Sequence, residues 1–158
     1  EAAATWKSEV DGLISKKIKF ADLSGGVGPA MLLWFAGKSL GKQEFVDRSM
    51  KLMERLSKTS RIQYWPGPLA LFALGRESIS TVVKMYFKYT DLNQLFKVAE
   101  EDRRLKRDLC QCLYYWSCSE RESGGRDRAF QLLKACVELE MPLEVEWFLA
   151  RGMLDKMQ

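Results

Sequence analysis

The sequence contains no histidine at any of its 158 positions. This absence excludes catalytic triads with a histidine base, cysteine–histidine nucleophile pairs and metal sites built on imidazole. Pairs of carboxylates such as Glu44 and Asp47 do occur, but such pairs are common on solvated helix faces. No catalytic residue stands out, so we expect a protein without enzymatic activity and without a cofactor.

Long hydrophobic runs are also absent. The longest apolar stretches, residues 29–36 and 68–74, are far shorter than the roughly 20 residues of a membrane-spanning helix, which predicts no membrane insertion. The composition, 47% hydrophobic and 29% charged, is that of a globular protein. We expect a single domain over residues 1–158. The chain begins "EAAATW" without an initiating Met, as expected either of a processed protein or of a domain within a longer chain.

The four cysteines all lie in the second half of the chain, as Cys110, Cys112, Cys118 and Cys136. An even number permits disulfides, but a chain with this much core does not need them. Cys110 and Cys112 point about 200° apart around a helix, so they do not easily converge on one zinc ion. We therefore expect reduced, mostly buried thiols and an intracellular, cytoplasmic location.

The hydrophobic pattern predicts an all-α fold. Apolar residues recur at helical spacing, as in Val46, Met50 and Met53, whereas two-residue alternation never persists. Turn residues divide the chain into about nine helices. Their expected spans are 4–19, 29–40, 43–58, 67–75, 77–89, 91–99, 104–121, 126–140 and a last helix opened by Pro142.

Three of these segments are apolar helices, the first two of them short, and each is followed by an amphipathic helix. The pairs are residues 29–40 with 43–58, 67–75 with 77–89, and 104–121 with 126–140. Because an apolar helix must be buried on several sides, the pattern favours stacked antiparallel helical pairs, an α-solenoid. The alternative is an irregular helical bundle in which the apolar helices simply form the core.

The third pair carries a family resemblance. Residues 110–142 join a bulky apolar helix to a second helix through Gly124-Gly125, with small residues at 117, 129 and 136 and a closing Pro142. This segment resembles the tetratricopeptide repeat (TPR), although that family places its proline one position earlier. The resemblance implies a TPR-like helical repeat that serves as a platform for proteins or peptides.

Basic residues cluster most densely at Arg103, Arg104, Lys106 and Arg107. Acidic residues flank this candidate basic patch, and the spacing of Glu100 and Arg104 predicts a helical ion pair. The net charge of +4 is too small to imply a nucleic-acid partner by itself. Binding to nucleic-acid phosphates through this patch is the alternative function, and it would require nearby aromatics for base stacking.

Large apolar side chains suggest the leading function. The candidate partner-binding residues are Trp65, Trp147, Phe148, Met153 and Met157. Trp65 lies in a predicted turn, where it either folds back or anchors a partner, and one of Trp147 and Phe148 must face away from the core. We expect a non-catalytic interaction module, an adaptor, scaffold or complex subunit. It would bind a helix or a peptide, preferably acidic, in a groove between helical pairs.

Overall fold

The computed structural model describes residues 1–19, 23–88 and 91–157, and within these ranges every regular element is helical. The predicted all-α class is confirmed, and these ranges contain nine α-helices, in agreement with the expected number of about nine. The helices are α1 (Ala2–Ile14), α2 (Val27–Leu40), α3 (Gln43–Leu56), α4 (Gly67–Ala73), α5 (Ile79–Phe87), α6 (Leu92–Glu101), α7 (Arg103–Glu122), α8 (Arg126–Glu138) and α9 (Val145–Asp155), with a 3₁₀ helix at Ser60–Gln63. Over the described ranges, no helix is both long enough and apolar enough to cross a bilayer.

The chain divides into two compact units, Glu1–Ser78 and Ile79–Gln158. In the first unit, α2 packs against α1, α3 and α4. Because α2 is apolar almost all round, it is buried from Ala30 to Trp34. A Cβ at Gly37 would lie 2.9 Å from the backbone nitrogen of Val46, so the backbones of α2 and α3 approach closely there.

The second unit is organised around α7, which packs against α5, α6, α8 and α9. Asp102 separates α6 from α7, and its carboxylate accepts hydrogen bonds from the backbone N–H groups of Arg104 and Leu105 at 2.9 and 3.1 Å. This N-cap fixes the start of α7. Glu100 and Arg104 therefore lie in different helices, and the predicted helical ion pair between them is wrong.

Two of the three predicted helical pairs pack as pairs within one unit: α2 with α3, and α7 with α8. The members of the remaining pair belong to different units, because α4 lies in the first and α5 in the second. In these two pairs, neighbouring helices thus pack as expected for paired helices. The single domain over residues 1–158 and the stacked-pair arrangement stay predictions.

The first and last helices differ most from their predicted spans. Helix α1 ends at Ile14, because Lys16 adopts a left-handed conformation (φ 58°) and the N–H of Lys17 bonds back to the carbonyl of Gly12. Helix α9 begins at Val145, so the prediction that Pro142 opens it is wrong. Pro142 instead occupies a tight turn, which forms part of the candidate site.

Candidate functional site: a basic groove at the start of α7

The start of α7 carries an unusual charge pattern. Its first turn contains no acidic side chain and begins with Arg103 and Arg104. The N-terminal end of a helix is its positive pole, so an exposed cation there typically costs about 0.3–1 kcal/mol. The Asp102 cap offsets part of this cost. Helix stability alone does not explain why positive charge is concentrated at this position.

The segment between α8 and α9 supplies an apolar counterpart. The N–H of Glu144 donates to the carbonyl of Met141 at 2.9 Å, which closes a turn with Pro142 at its second position. Proline suits that position because its ring already fixes the required φ. The turn buries Met141 but leaves Leu143, which follows Pro142, 79% exposed.

These two segments form an open groove of about 440 Å³, referred to below as the basic groove. Its lining residues are Arg103, Arg104, Arg107, Met141, Leu143 and Glu144. Three cations therefore face one carboxylate and two apolar side chains. The structure brings together three of the four residues of the candidate basic patch. Lys106, the fourth, lines a neighbouring groove.

Arg107 is held in place by a buried carboxylate. Its Nε and Nη2 atoms donate to Oδ1 of Asp108 at 3.1 and 2.9 Å, while the hydroxyl of Tyr86 donates to Oδ2 at 2.9 Å. Asp108 is only 1% exposed. Burial raises its pKa, and the hydrogen bonds from Arg107 and Tyr86 offset part of that rise. The charge of Arg107 is thus largely matched by Asp108.

Arg103 and Arg104 differ from Arg107 in this respect. Within residues 1–19, 23–88 and 91–157, neither guanidinium forms an ion pair or a side-chain hydrogen bond. Both residues are exposed. They are therefore the cations of the groove with the greatest capacity to bind an anionic group on a partner.

Two glutamates fix the start of α9 against α7. Gln111 donates to Glu144 at 3.3 Å, and the hydroxyl of Tyr115 donates to Glu146 at 3.1 Å. Burial raises the pKa of Glu144 and raises that of Glu146, which is 3% exposed, to about 7. These contacts hold the turn that presents Leu143 in a defined position relative to the arginines.

The five candidate apolar residues lie outside the basic groove. Trp65 is 5% exposed, so it folds back into the protein and does not project outward as an anchor for a partner. Trp147 is half-buried, and its indole N–H donates to the carbonyl of Val137 at 3.0 Å. Phe148 is 58% exposed and packs edge-to-face on Trp147, whereas Met153 and Met157 are half-buried.

The aromatic residues that follow the candidate basic patch in the sequence are buried or half-buried. Tyr114 and Tyr115 are buried in the core of the second unit. Trp116 is half-buried. Its indole N–H donates to the carboxylate of Glu120 at 2.9 Å, and the guanidinium of Arg128 lies over its ring. The basic groove has no aromatic lining residue. The arrangement lacks the stacking platform that single-stranded nucleic acid typically uses.

The four cysteines are reduced and buried, and the Sγ atoms of Cys110 and Cys136 lie 3.5 Å apart. Burial raises the pKa of the Cys112 and Cys118 thiols, the latter to about 12, which disfavours their reactive thiolate forms. Across the part of the chain that the structure describes, no group of three or more histidine, cysteine or acidic side chains is arranged to hold a metal ion.

Sequence reasoning missed the residues that complete the groove opposite the arginines, above all Leu143 and Glu144. A last helix opened by Pro142 includes Leu143, so the exposure of Leu143 could not be seen from the sequence. The residue that could have indicated the turn was Pro142, since proline fits the second position of a turn as well as a helix start.

The chain matches no protein-family model, no curated protein and no solved structure. The resemblance of residues 110–142 to the tetratricopeptide repeat therefore stays a prediction.

Proposed function

We propose that this chain is a non-catalytic protein-binding module whose partner segment carries acidic and apolar side chains and lies in the basic groove. One observation supports this most directly: Arg103 and Arg104, which form no ion pair within the described residues, line the same groove as the strongly exposed Leu143. Such a partner satisfies the arginines and removes Leu143 from water.

The two kinds of contact have different roles. Burying a leucine side chain contributes about 1.5–3 kcal/mol, whereas an exposed ion pair contributes about 0.2–1 kcal/mol. The apolar contact at Leu143 therefore supplies more affinity than either arginine. The arginines act mainly on partner choice and on the rate of association, because a basic partner is repelled.

The predicted repeat architecture bears on this proposal. Stacked helical pairs, as in tetratricopeptide repeats, commonly present a binding surface, and α7 with α8 is the pair closest to that pattern. The basic groove lies at the start of α7 and at the turn between α8 and α9. In this proposal a scaffold or complex subunit binds its partner at an end of the helical pair, instead of in a channel between pairs.

Binding of nucleic-acid phosphates is the second candidate function, and the convergence of three arginines on one groove favours it. Two features of the groove argue for a protein partner instead: it has no aromatic lining residue, and it includes Glu144. Salt distinguishes the two, because counterion release makes phosphate binding fall steeply with salt while apolar contacts are nearly insensitive.

The test is selection of short random peptides displayed on phage against the purified chain. The enriched peptides are then synthesised with a fluorescent label and measured by fluorescence polarisation. We expect enrichment of peptides that combine Asp or Glu with Leu or Phe. Leu143→Ser should weaken their binding by about tenfold or more, and Arg103→Glu by about threefold or more.

Two control variants match these changes. Arg126 occupies the first position of α8, as Arg103 does in α7, so Arg126→Glu makes the same charge reversal away from the groove. Leu40 is 60% exposed in the first unit, which makes Leu40→Ser the counterpart of Leu143→Ser. Both controls should leave peptide affinity within about twofold.

Two results would overturn the proposal. One is selected peptides that bind Leu143→Ser and Arg103→Glu as tightly as the original chain, and the other is no enrichment at all. A labelled oligothymidine and a DNA duplex are measured in parallel at low and moderate salt. Tighter binding of either nucleic acid than of any peptide, lost in Arg103→Glu, replaces the proposal with the phosphate-binding alternative.

A further inference from the structure

A second open groove, also of about 440 Å³, lies beside the basic groove. Its lining residues are Glu100, Glu101, Arg103, Lys106, Glu140, Met141, Pro142 and Leu143. Arg103, Met141 and Leu143 line both grooves, so these three side chains form the wall between them. A segment bound across Leu143 would contact both grooves at once.

The two grooves carry opposite charge. The second groove has three carboxylates against the two cations Arg103 and Lys106, whereas the basic groove has three cations against one carboxylate. Glu100, Glu101 and Glu140 are exposed. Within the described ranges they form no ion pair, so all three carboxylates can bind a cation on a partner. This second groove is called the acidic groove below.

The positions of these carboxylates are costly for the fold. Glu100 and Glu101 end α6, whose last turn has no basic residue, so they lie at the negative pole of that helix. Glu140 follows α8 in a left-handed conformation, with φ 51°. That conformation is ordinarily taken by glycine or asparagine at a helix end. Selection for stability alone would not place glutamates at the negative pole of α6, nor a glutamate at the left-handed position after α8.

We propose that the partner segment is dipolar: an acidic side chain lies in the basic groove, an apolar side chain covers Leu143, and a Lys or Arg lies among the carboxylates of the acidic groove. This inference rests on the proposed function and specifies the charge order of the partner. A segment with acidic residues on both sides of its apolar centre places one of them against three carboxylates, so it is discriminated against by repulsion.

The experiment compares four synthetic peptides that share one Leu-Phe centre. Their flanks are acidic then basic, basic then acidic, acidic on both sides, and basic on both sides. Binding is measured by fluorescence polarisation. We expect the tighter of the two dipolar peptides to bind at least about fivefold more tightly than the doubly acidic peptide. The doubly basic peptide should bind most weakly.

The triple variant Glu100→Gln, Glu101→Gln, Glu140→Gln assigns the effect to the acidic groove. We expect it to abolish the advantage of the dipolar peptide while the doubly acidic peptide binds as well as before or better. Glu138→Gln is the matched control, because Glu138 is an exposed glutamate at the end of α8 that lines neither groove. It should preserve the advantage.

The outcomes separate this inference from the proposed function. Equal affinity of the dipolar and doubly acidic peptides, both weakened by Leu143→Ser, overturns the dipolar inference and leaves the proposed function standing. An advantage that persists in the triple variant also overturns it. Failure of all four peptides to respond to Leu143→Ser and Arg103→Glu overturns both.

Discussion

Replacing Glu146 by glutamine is expected to stabilise the protein at neutral pH and to change little below about pH 5. Glu146 lies in the first turn of α9, where the helix dipole lowers the pKa of a carboxylate. Burial has the larger effect, because the pKa rises from 4.5 to about 7 even though Tyr115 donates a hydrogen bond to Glu146. Ionised Glu146 is therefore destabilising in the folded protein.

The sign and size of this effect of Glu146 on the free energy of unfolding follow from the linkage between proton binding and folding. The folded state holds the proton of Glu146 more tightly than the unfolded state, so stability falls as pH rises from 4.5 to about 7. At 1.36 kcal/mol per pKa unit the loss is about 3 kcal/mol, and it levels off above the upper value. Glutamine has the same shape and still accepts the hydrogen bond from Tyr115, but it cannot ionise.

Urea unfolding followed by circular dichroism at several pH values between about 5 and 8 measures this effect. The difference in unfolding free energy between Glu146→Gln and the original chain should grow toward neutral pH and then stay constant. Glu144, whose pKa burial also raises, remains in both proteins and largely cancels in the difference. Asp155→Asn, an exposed change on the same helix, should show no such trend. A difference that is constant across the pH range would refute the reasoning.

Three further predictions concern stability, each measured by urea unfolding. Glu140→Gly should stabilise the protein by about 1 kcal/mol, because glycine adopts the left-handed conformation without strain. Glu138→Gly, at the last and right-handed position of α8, should instead destabilise it by up to about 0.5 kcal/mol, and changes of the same sign in the two variants would contradict this. Gly37→Ala should cost about 1–3 kcal/mol, since the added Cβ meets the backbone of Val46. An unchanged urea midpoint would disprove the close approach of α2 to α3. Asp102→Ala should cost about 1 kcal/mol through loss of the N-cap, against no loss for the conservative Asp102→Asn.

Local signals in the sequence were enough to place most helices. The helix expected over residues 91–99 begins at Asp91, whose carboxylate accepts a hydrogen bond from the N–H of Asn93 at 2.9 Å. The helix expected over residues 29–40 ends just before Gly41, which adopts the left-handed conformation that closes α2. Such features involve only neighbouring residues, so their physical chemistry is contained in a short stretch of sequence.

The turn before α9 shows where local reasoning fails. Proline has the same φ at the first position of a helix and at the second position of a turn, so Pro142 alone does not distinguish them. The distinguishing feature is the hydrogen bond from the N–H of Glu144 to the carbonyl of Met141. That turn is stabilised by the packing of Met141 and by contacts of Glu144 and Glu146 with α7, which are remote in sequence.

The basic patch was visible as a cluster of residues, but its surroundings were not. Asp108 is one of the acidic residues that flank the patch in the sequence. In the structure it neutralises Arg107 specifically, and because Asp102 separates two helices Arg104 forms no ion pair with Glu100. The exposed Leu143 lies far along the chain and reaches the arginines only through the packing of α7, α8 and α9.

Charge placement around Leu143 links stability to the proposed binding. Cations occupy the positive pole of α7, carboxylates occupy the negative pole of α6, and Glu140 takes a left-handed conformation at the end of α8. Each placement lowers the stability of its own helix or turn, and the opposite charges on the two sides of Asp102 do not form ion pairs among the described residues. A partner with the complementary charge order would neutralise the charges at both helix poles, whereas the left-handed backbone of Glu140 would keep its cost. Binding should therefore raise the stability of the second unit by more than Leu143 burial alone provides, because it also removes the cost of the charges at the two poles.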